Sequence, residues 1–406
     1  MAEAFVGLDL GTTGIKAVAF DSDDQPLALA TRSTPTQRLA NGGGEYDADE
    51  LWATAAEVLR DVTSELSGAG HHVVSIATAS MGEAGVLIDG EGKPVAPVIS
   101  WFDPRTDPQA QWWADTVGAE RTKRIAAVRP RALFGAPKML WTKTHLPEAW
   151  AAGRHWLNMA DWAAYRLSGE MATDFSLASR TMVFDLPKRV WSDELIEAGG
   201  LQRSMFCPLV QSGQRVGQVT GDAATQTGLP PGIAVGAGGQ DHVCAALALG
   251  VTQPGTLLDS IGTAEALFLV ADAVDVTGRV PDAGISQGAH VEPNRTYAMV
   301  GVSNGGGRID AAREEMGLDW PAFLATQQAT EVIESLAQEG QARINDLIAA
   351  TEATSVRHIA TGGGSRNARL IERKRALGCR PIEVSDATEA TALGAAKLGR
   401  RAASDT

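Results

Sequence analysis

Cysteine is scarce in this chain: Cys207, Cys244 and Cys379 are the only three, and none forms a CxxC pair. That spacing excludes a disulfide framework and a zinc knuckle. The seven histidines contain no HxxxH or HExxH pattern, which removes the zincin type of metal site. Positive charge is in deficit too. Thirty-five Lys and Arg stand against 49 Asp and Glu, a formal net charge of −14. A nucleic-acid binder ordinarily presents a basic face, so that class is set aside. No run approaches the roughly 20 apolar residues of a membrane-spanning helix. The N-terminal MAEAFVGLDLG lacks the basic and long apolar regions of a secretion signal. The expectation is a cytoplasmic protein that engages neither nucleic acid nor membrane. Acidity does not exclude a phosphorylated ligand, because backbone N–H groups and metal ions hold such ligands without bulk positive charge.

What is present is a chain of 406 residues, 44% apolar, with 44 Gly against 18 Pro. That composition describes a folded chain with many tight turns, and the length predicts two domains. Residues 4–10, 15–20 and 26–33 read as strands, and 49–66 as a helix capped by Asp47 or Asp49. Strands follow at 73–79 and 85–89. A largely helical stretch runs from 107 to about 204. Residues 230–239 read as a turn, a strand and a glycine-rich stretch, and 242–250 as a buried helix. Strands restart at 256–261 and 266–270, a long helix covers 330–351, a strand 356–360, and a helix begins near Asn367. Two halves thus open with strands around a Gly-Thr turn, with a boundary near 247–255.

Four segments carry candidate chemistry. In GLDLGTTGIKAVAF (7–20) an acid at a strand end precedes Gly, two Thr and Gly. Gly11 and Gly14 allow a tight hairpin with exposed N–H groups, and Thr12 and Thr13 add hydroxyl donors, a set able to cradle phosphate oxygens. Asp9 is a candidate Mg²⁺ ligand, acting through water. In GAGGQDHVCAALALG (236–250) Asp241 stands where glycines meet a helix. It suits an N-cap, and equally a carboxylate that takes a proton from a substrate hydroxyl. His242 reads as a structural neighbour rather than a catalyst. In DSIGTAEAL (259–267) Gly262 and Thr263 form the second Gly-Thr turn, and in ATGGGSRNARL (360–370) three glycines precede Asn367, which suits a flat ligand such as adenosine lying on backbone.

In this order the four segments resemble the FGGY carbohydrate kinases of the actin-like ATPase superfamily. MGEAGVLIDGEGKPVAPVISWFDPRT (81–106) resembles the family's sugar-site region, with Trp101, Asp103 and Arg105 in its W-x-D-x-R arrangement, and LNMADWAAYRLSGEMATDFSLASRTMVFD (157–185) resembles a further family stretch. The resemblance implies two actin-like (ribonuclease H-like) domains flanking an active-site cleft. Residues 1–250 would bind sugar and phosphate, and residues 251–406 nucleotide. It implies ATP and Mg²⁺ as cofactors, with Asp9, Thr12 and Thr13 on metal and phosphates. Asp241 would be general base and would touch the substrate. Gly262 and Thr263 would cradle phosphates, and Gly362, Gly363, Gly364 and Asn367 would lie against adenosine. Glu83, Trp101, Asp103 and Arg105 would line the pocket for a small sugar or polyol, such as a pentulose. Asp161 and Asp174 match the family pattern and equally suit caps or turns. Members often form homodimers, although no residue here identifies an interface.

The chain also departs from the family. No G-E-R-x-P segment precedes the long second-domain helix, so a strand of the nucleotide domain is expected to be missing. Ser80-Met81-Gly82-Glu83 stands where many members have Gln-Met-His-Gly, which places an acceptor-only carboxylate where an imidazole is usual. The shortened second domain leaves an alternative open, a catalytically weak nucleotide- or sugar-binding regulator descended from such kinases.

Overall fold

The computed structural model describes residues 2–262, 264–276, 284–302, 305–354 and 356–404. The chain divides into two units, Met1–Ala248 with Ala289–Pro293 and Glu389–Thr406, and Leu249–Gly288 with Asn294–Thr388.

The first unit opens with β1 (Ala2–Leu10), β2 (Gly14–Phe20) and β3 (Pro26–Ser33), followed by α1 (Ala48–Gly68) and β4 (His71–Ser80). Later come α2 (Met159–Ser168), β5 (Arg215–Gln218), β6 (Ala234–Gln240) and α3 (Asp241–Ala248). The sheet order is β5-β6-β4-β1-β2-β3. β1, β2 and β3 are antiparallel neighbours, whereas β4 runs parallel to β1 and β6 parallel to β4. Apolar residues on α1 recur at helical spacing, so Leu51, Ala55, Val58, Leu59, Val62 and Leu66 all bury one stripe in the core shared with Val6, Leu8 and Leu10. Asp47 caps α1 by accepting from the Asp49 and Glu50 amides.

The second unit contains β7 (Thr256–Ile261), β8 (Glu265–Ala271), β9 (Ser286–Ala289), β10 (Thr296–Val302), α4 (Gly307–Glu315), α5 (Trp320–Leu324), α6 (Gln327–Thr351), β11 (Arg357–Thr361), α7 (Ala368–Gly378) and β12 (Ile382–Val384). Its sheet order is β9-β10-β8-β7-β11-β12. Here too the first strand has an antiparallel partner that pairs antiparallel with a third, and two parallel strands extend the other side. The same five-strand topology therefore occurs in both units, which local sequence similarity is too weak to reveal. The strand expected to be missing is not missing from that set. The segment before α6 forms the short helices α4 and α5 instead.

Two expectations need correction. The glycine-rich stretch before Asp241 is not separate from the strand but is the end of buried strand β6. A Cβ at Gly238 would stand 1.7 Å from the Thr78 carbonyl oxygen of neighbouring β4, so glycine there permits close strand approach. The last helix, α8 (Ala390–Ser404), belongs to the first unit, although a simple cut near residue 250 assigns it to the second. Its small residues explain the placement. Ala392 and Ala396 pack with Phe5, Val18 and Phe20, and a Cβ on Gly394 would come within 1.9 Å of the Cys244 carbonyl oxygen on α3.

Candidate active site

The β1–β2 hairpin is closed by Gly11 N–H donating to the Gly14 carbonyl at 3.1 Å. Thr34, just past β3, pins it twice, its amide donating to the Thr13 carbonyl at 3.2 Å and its hydroxyl to the Gly11 carbonyl at 2.6 Å. Thr13 is left exposed. The Thr12 hydroxyl accepts the Trp101 indole N–H at 2.9 Å. The hairpin expected to hold phosphate is thus tied directly to the loop expected to hold sugar.

Asp9 stands at the end of β1, facing Lys16 in register. Its Oδ1 is buried without a hydrogen-bond partner. Burial first, and then the charge of Asp241, push its pKa up to about 8, with Lys16 pulling the other way. A buried, unsatisfied carboxylate oxygen beside a second carboxylate is the environment a hard divalent cation relieves, so the residues present fit Mg²⁺.

Asp241 is the first residue of α3. Its Oδ1 accepts the His242 amide at 2.6 Å and lies 2.9 Å from His242 Nδ1. Burial opposes protonation of His242, but the charge and hydrogen bond of Asp241 and the charge of Glu83 outweigh it, so the imidazole pKa is raised. Gln240 Nε2 lies 3.4 Å from the same Nδ1.

Glu83 is nearly buried, and its Oε1 accepts from both Nε (2.7 Å) and Nη2 of the buried Arg180. Arg180 also lies 4.9 Å above the Phe134 ring centre. Lys138, fully buried, donates to the Ala132 and Leu133 carbonyls, and burial pushes its pKa down to about 7 against the pull of Glu83 and Asp103. A Cβ at Gly82 would press to 2.6 Å from Gln240 Cγ and 3.0 Å from Arg180 Cγ. One glycine therefore lets Glu83, Arg180 and Gln240 converge.

Asp103 and Arg105 hold one another. Asp103 Oδ1 accepts the Arg105 amide and Nε, its Oδ2 accepts Arg105 Nη2 and the Gly44 amide, and Arg105 Nη1 donates to Glu45 at 2.8 Å. Every nitrogen of the guanidinium is thereby engaged, and the pair acts as a clamp on the loop that carries Trp101. Trp101 itself is 41% exposed. Asp161 and Asp174 serve as caps. Asp161 completes a capping box with Asn158 at α2, and Asp174 accepts from the Ser176 and Leu177 amides and the Ser212 hydroxyl.

In the second unit a cavity of about 800 Å³ gathers Gly262, Gly363, Gly364 and Asn367 with Ile309, Trp320 and Leu324. Gly362 has φ +88°, and a Cβ there would meet the Ile261 carbonyl oxygen at 2.6 Å, so the turn depends on glycine. Asn367 caps α7 through the Leu370 amide at 3.2 Å. Thr263 lies outside the described residues. The same unit holds a buried charged group that sequence reasoning missed. Lys374 Nζ on α7 donates to Asp259 Oδ2 on β7 at 2.7 Å and to Glu265 Oε1 on β8 at 2.6 Å, and His358 Nε2 lies 3.1 Å from Asp259 Oδ2.

The first unit thus brings Asp9, Thr12, Thr13, Glu83, Trp101 and Asp241 together, and the second brings together Gly262, Gly362, Gly363, Gly364 and Asn367. Arg180 and Gln240 lie inside stretches whose family likeness was noted, but nothing in their local spacing marks them. The apolar wall of Ile309, Trp320 and Leu324 carries no motif at all.

Two units of one sheet topology, each with a glycine-bearing turn where its first two strands meet, define an actin-like α/β protein. The profile of the FGGY family of carbohydrate kinases, N-terminal domain, matches residues 4–248, and the chain belongs to that family. A xylulose kinase from Klebsiella pneumoniae is 27% identical over 328 residues, 80% of this chain and 66% of that protein. An L-fuculokinase from Escherichia coli (strain K12) is 29% identical over 277 residues, 68% of this chain and 58% of that protein. Both matches span less than two thirds of the relative's own length. A solved xylulose kinase from Rhodospirillum rubrum shares the fold with a TM-score of 0.89 at 21% identity, over 97% of this chain and 89% of that one. No described helix is long and apolar enough to cross a membrane.

Proposed function

We propose that the protein transfers the γ-phosphoryl group of Mg-ATP to a hydroxyl of a small sugar or polyol, a ketose such as a pentulose. The observation that carries this reading is the pairing of Asp241, its Oδ1 already occupied by His242, with the buried and unsatisfied Asp9. One carboxylate is placed to take a proton and the other to meet a cation. Phosphoryl transfer asks the protein mainly for such positioning and charge compensation.

In this reading Asp241 accepts the proton of the attacking hydroxyl. Asp9 holds Mg²⁺ through water, and the cation, when bound, neutralises charge on the phosphate oxygens. Thr12 and Thr13 cradle those phosphates with hydroxyls and amides. The cavity beside Gly362, Gly363, Gly364 and Asn367 takes adenosine, with the base against Ile309, Trp320 and Leu324. Glu83 accepts from sugar hydroxyls and Trp101 offers an apolar face, while Asp103 and Arg105 contribute by fixing the Trp101 loop. The completeness of the second sheet favours catalysis over the binding-only alternative. ADP release from Mg-ATP across a panel of ketoses and polyols tests the reading. A sugar-dependent signal that Asp241→Ala abolishes is the expected outcome, and silence from folded protein across the whole panel contradicts it.

A further inference from the structure

Asp241 is held in an unusual way for a free carboxylate. Its Oδ1 receives the backbone amide of His242 at 2.6 Å and faces Nδ1 of the same residue at 2.9 Å. An ionised carboxylate only accepts, so Nδ1 carries a hydrogen and donates. Gln240 Nε2, 3.4 Å from that nitrogen, cannot also donate to it. With the amide turned, the Gln240 carbonyl oxygen, buried without a partner in its present orientation, faces the ring N–H as a second acceptor. Both donors on Oδ1 therefore come from one residue, and Oδ2 is left as the oxygen able to receive a proton.

We infer that His242 is a positioning residue that locks the Asp241 carboxylate, so that Oδ2 alone faces the hydroxyl to be phosphorylated. This rests on Asp241 being the base. A carboxylate free to turn about its Cβ–Cγ bond presents either oxygen in many directions, and one held on Oδ1 presents a single lone-pair direction. In the step concerned, the substrate oxygen forms its bond to the γ-phosphorus as the bond from that phosphorus to the β-bridging oxygen breaks. The hydroxyl proton passes to Asp241 Oδ2, ADP leaves with the bridging electron pair, and Asp241 later returns the proton to solvent. His242 gains and loses nothing and touches no reacting atom. The gain is alignment.

The test compares His242→Ala, His242→Asn and Asp241→Asn in the full chain, with Mg-ATP and whichever panel sugar the wild type phosphorylates. His242→Ala is expected to lose about tenfold to a hundredfold in kcat, the scale of a misaligned base, with the sugar KM within about threefold of wild type. His242→Asn, whose side-chain N–H can replace the Nδ1 donor, is expected to recover at least about a third of kcat. Equal losses in the two variants, or a loss confined to KM, overturn the inference. If His242→Ala does not fold, His242→Asn decides alone: near-wild-type kcat supports the inference, and a loss beyond about tenfold overturns it. Asp241→Asn separates the two claims. Activity surviving in it removes Asp241 as base, whereas its inactivity with unimpaired His242 variants removes only the role given to His242.

Discussion

At the scale of single residues, the site is a set of charges in surroundings that do not suit them. Asp9 has a pKa pushed up to about 8 and a buried oxygen without a partner. Asp9→Asn removes a charge that burial penalises and a ligand that a cation needs. The variant is expected to melt at or above the wild-type temperature in the absence of Mg²⁺ while losing roughly a hundredfold or more in Mg²⁺-dependent ADP release. A variant that melts lower but keeps its turnover would contradict both roles. Glu83 differs because its partner is protein. Arg180 is nearly fully buried against it, so Glu83→Ala removes the carboxylate that a buried cation donates to, and a loss of about 3 kcal/mol in a chemical melt is expected. Asp9, Asp241 and Trp101 stand out as candidates in the sequence because they sit in compact local motifs. Arg180 was not, since its partner is 97 residues away and a lone arginine carries no spacing signal.

At the scale of elements, glycine and buried charge do what the hydrophobic pattern does not express. Strands 1 to 3, the first helix and the long helix of the second unit were readable from periodicity and caps. The end of strand β6 was not readable because Gly236, Gly238 and Gly239 carry no strand pattern, although they are the means by which β4, β6 and their neighbours approach closely. Gly394→Ala, which would drive a Cβ to 1.9 Å from the Cys244 carbonyl oxygen, is expected to destabilise the first unit by about 1–3 kcal/mol in a denaturant melt. In the second unit Lys374 ties α7 to the two strands that flank Gly262. Burial and then Asp259 push the Glu265 pKa up to about 7, against the pull of Lys374. A folded-state pKa above the unfolded one means that this group's contribution to stability is full below about pH 4.5 and is lost as pH rises through about 7. Asp259 acts in the opposite sense. Burial works to raise its pKa, but Lys374 and His358 outweigh that and hold it low. Glu265→Gln is therefore expected to flatten the decline in stability between pH 4.5 and 7, followed by denaturant melts at intervals across that range. An unchanged slope would mean that Glu265 is ionised throughout.

At the scale of the whole molecule, one topology is used twice, with the chain crossing between its halves more than once. The two Gly-Thr turns at 11–14 and 262–263 hinted at the repetition, but only strand order demonstrates it. The last helix returns to the first unit through alanine and glycine faces that a linear cut could not anticipate. The second sheet keeps its five-strand set although the G-E-R-x-P segment is absent from the sequence. The account therefore stands or falls on turnover. The decisive measurement is ADP release from Mg-ATP with a panel of ketoses and polyols, run on the wild type and on Asp241→Ala. The account predicts release that depends on one class of sugar and is lost in the variant while its melting temperature is retained. Sugar-dependent release that is undiminished in Asp241→Ala, or no release at all from folded wild type that binds ATP, would contradict it.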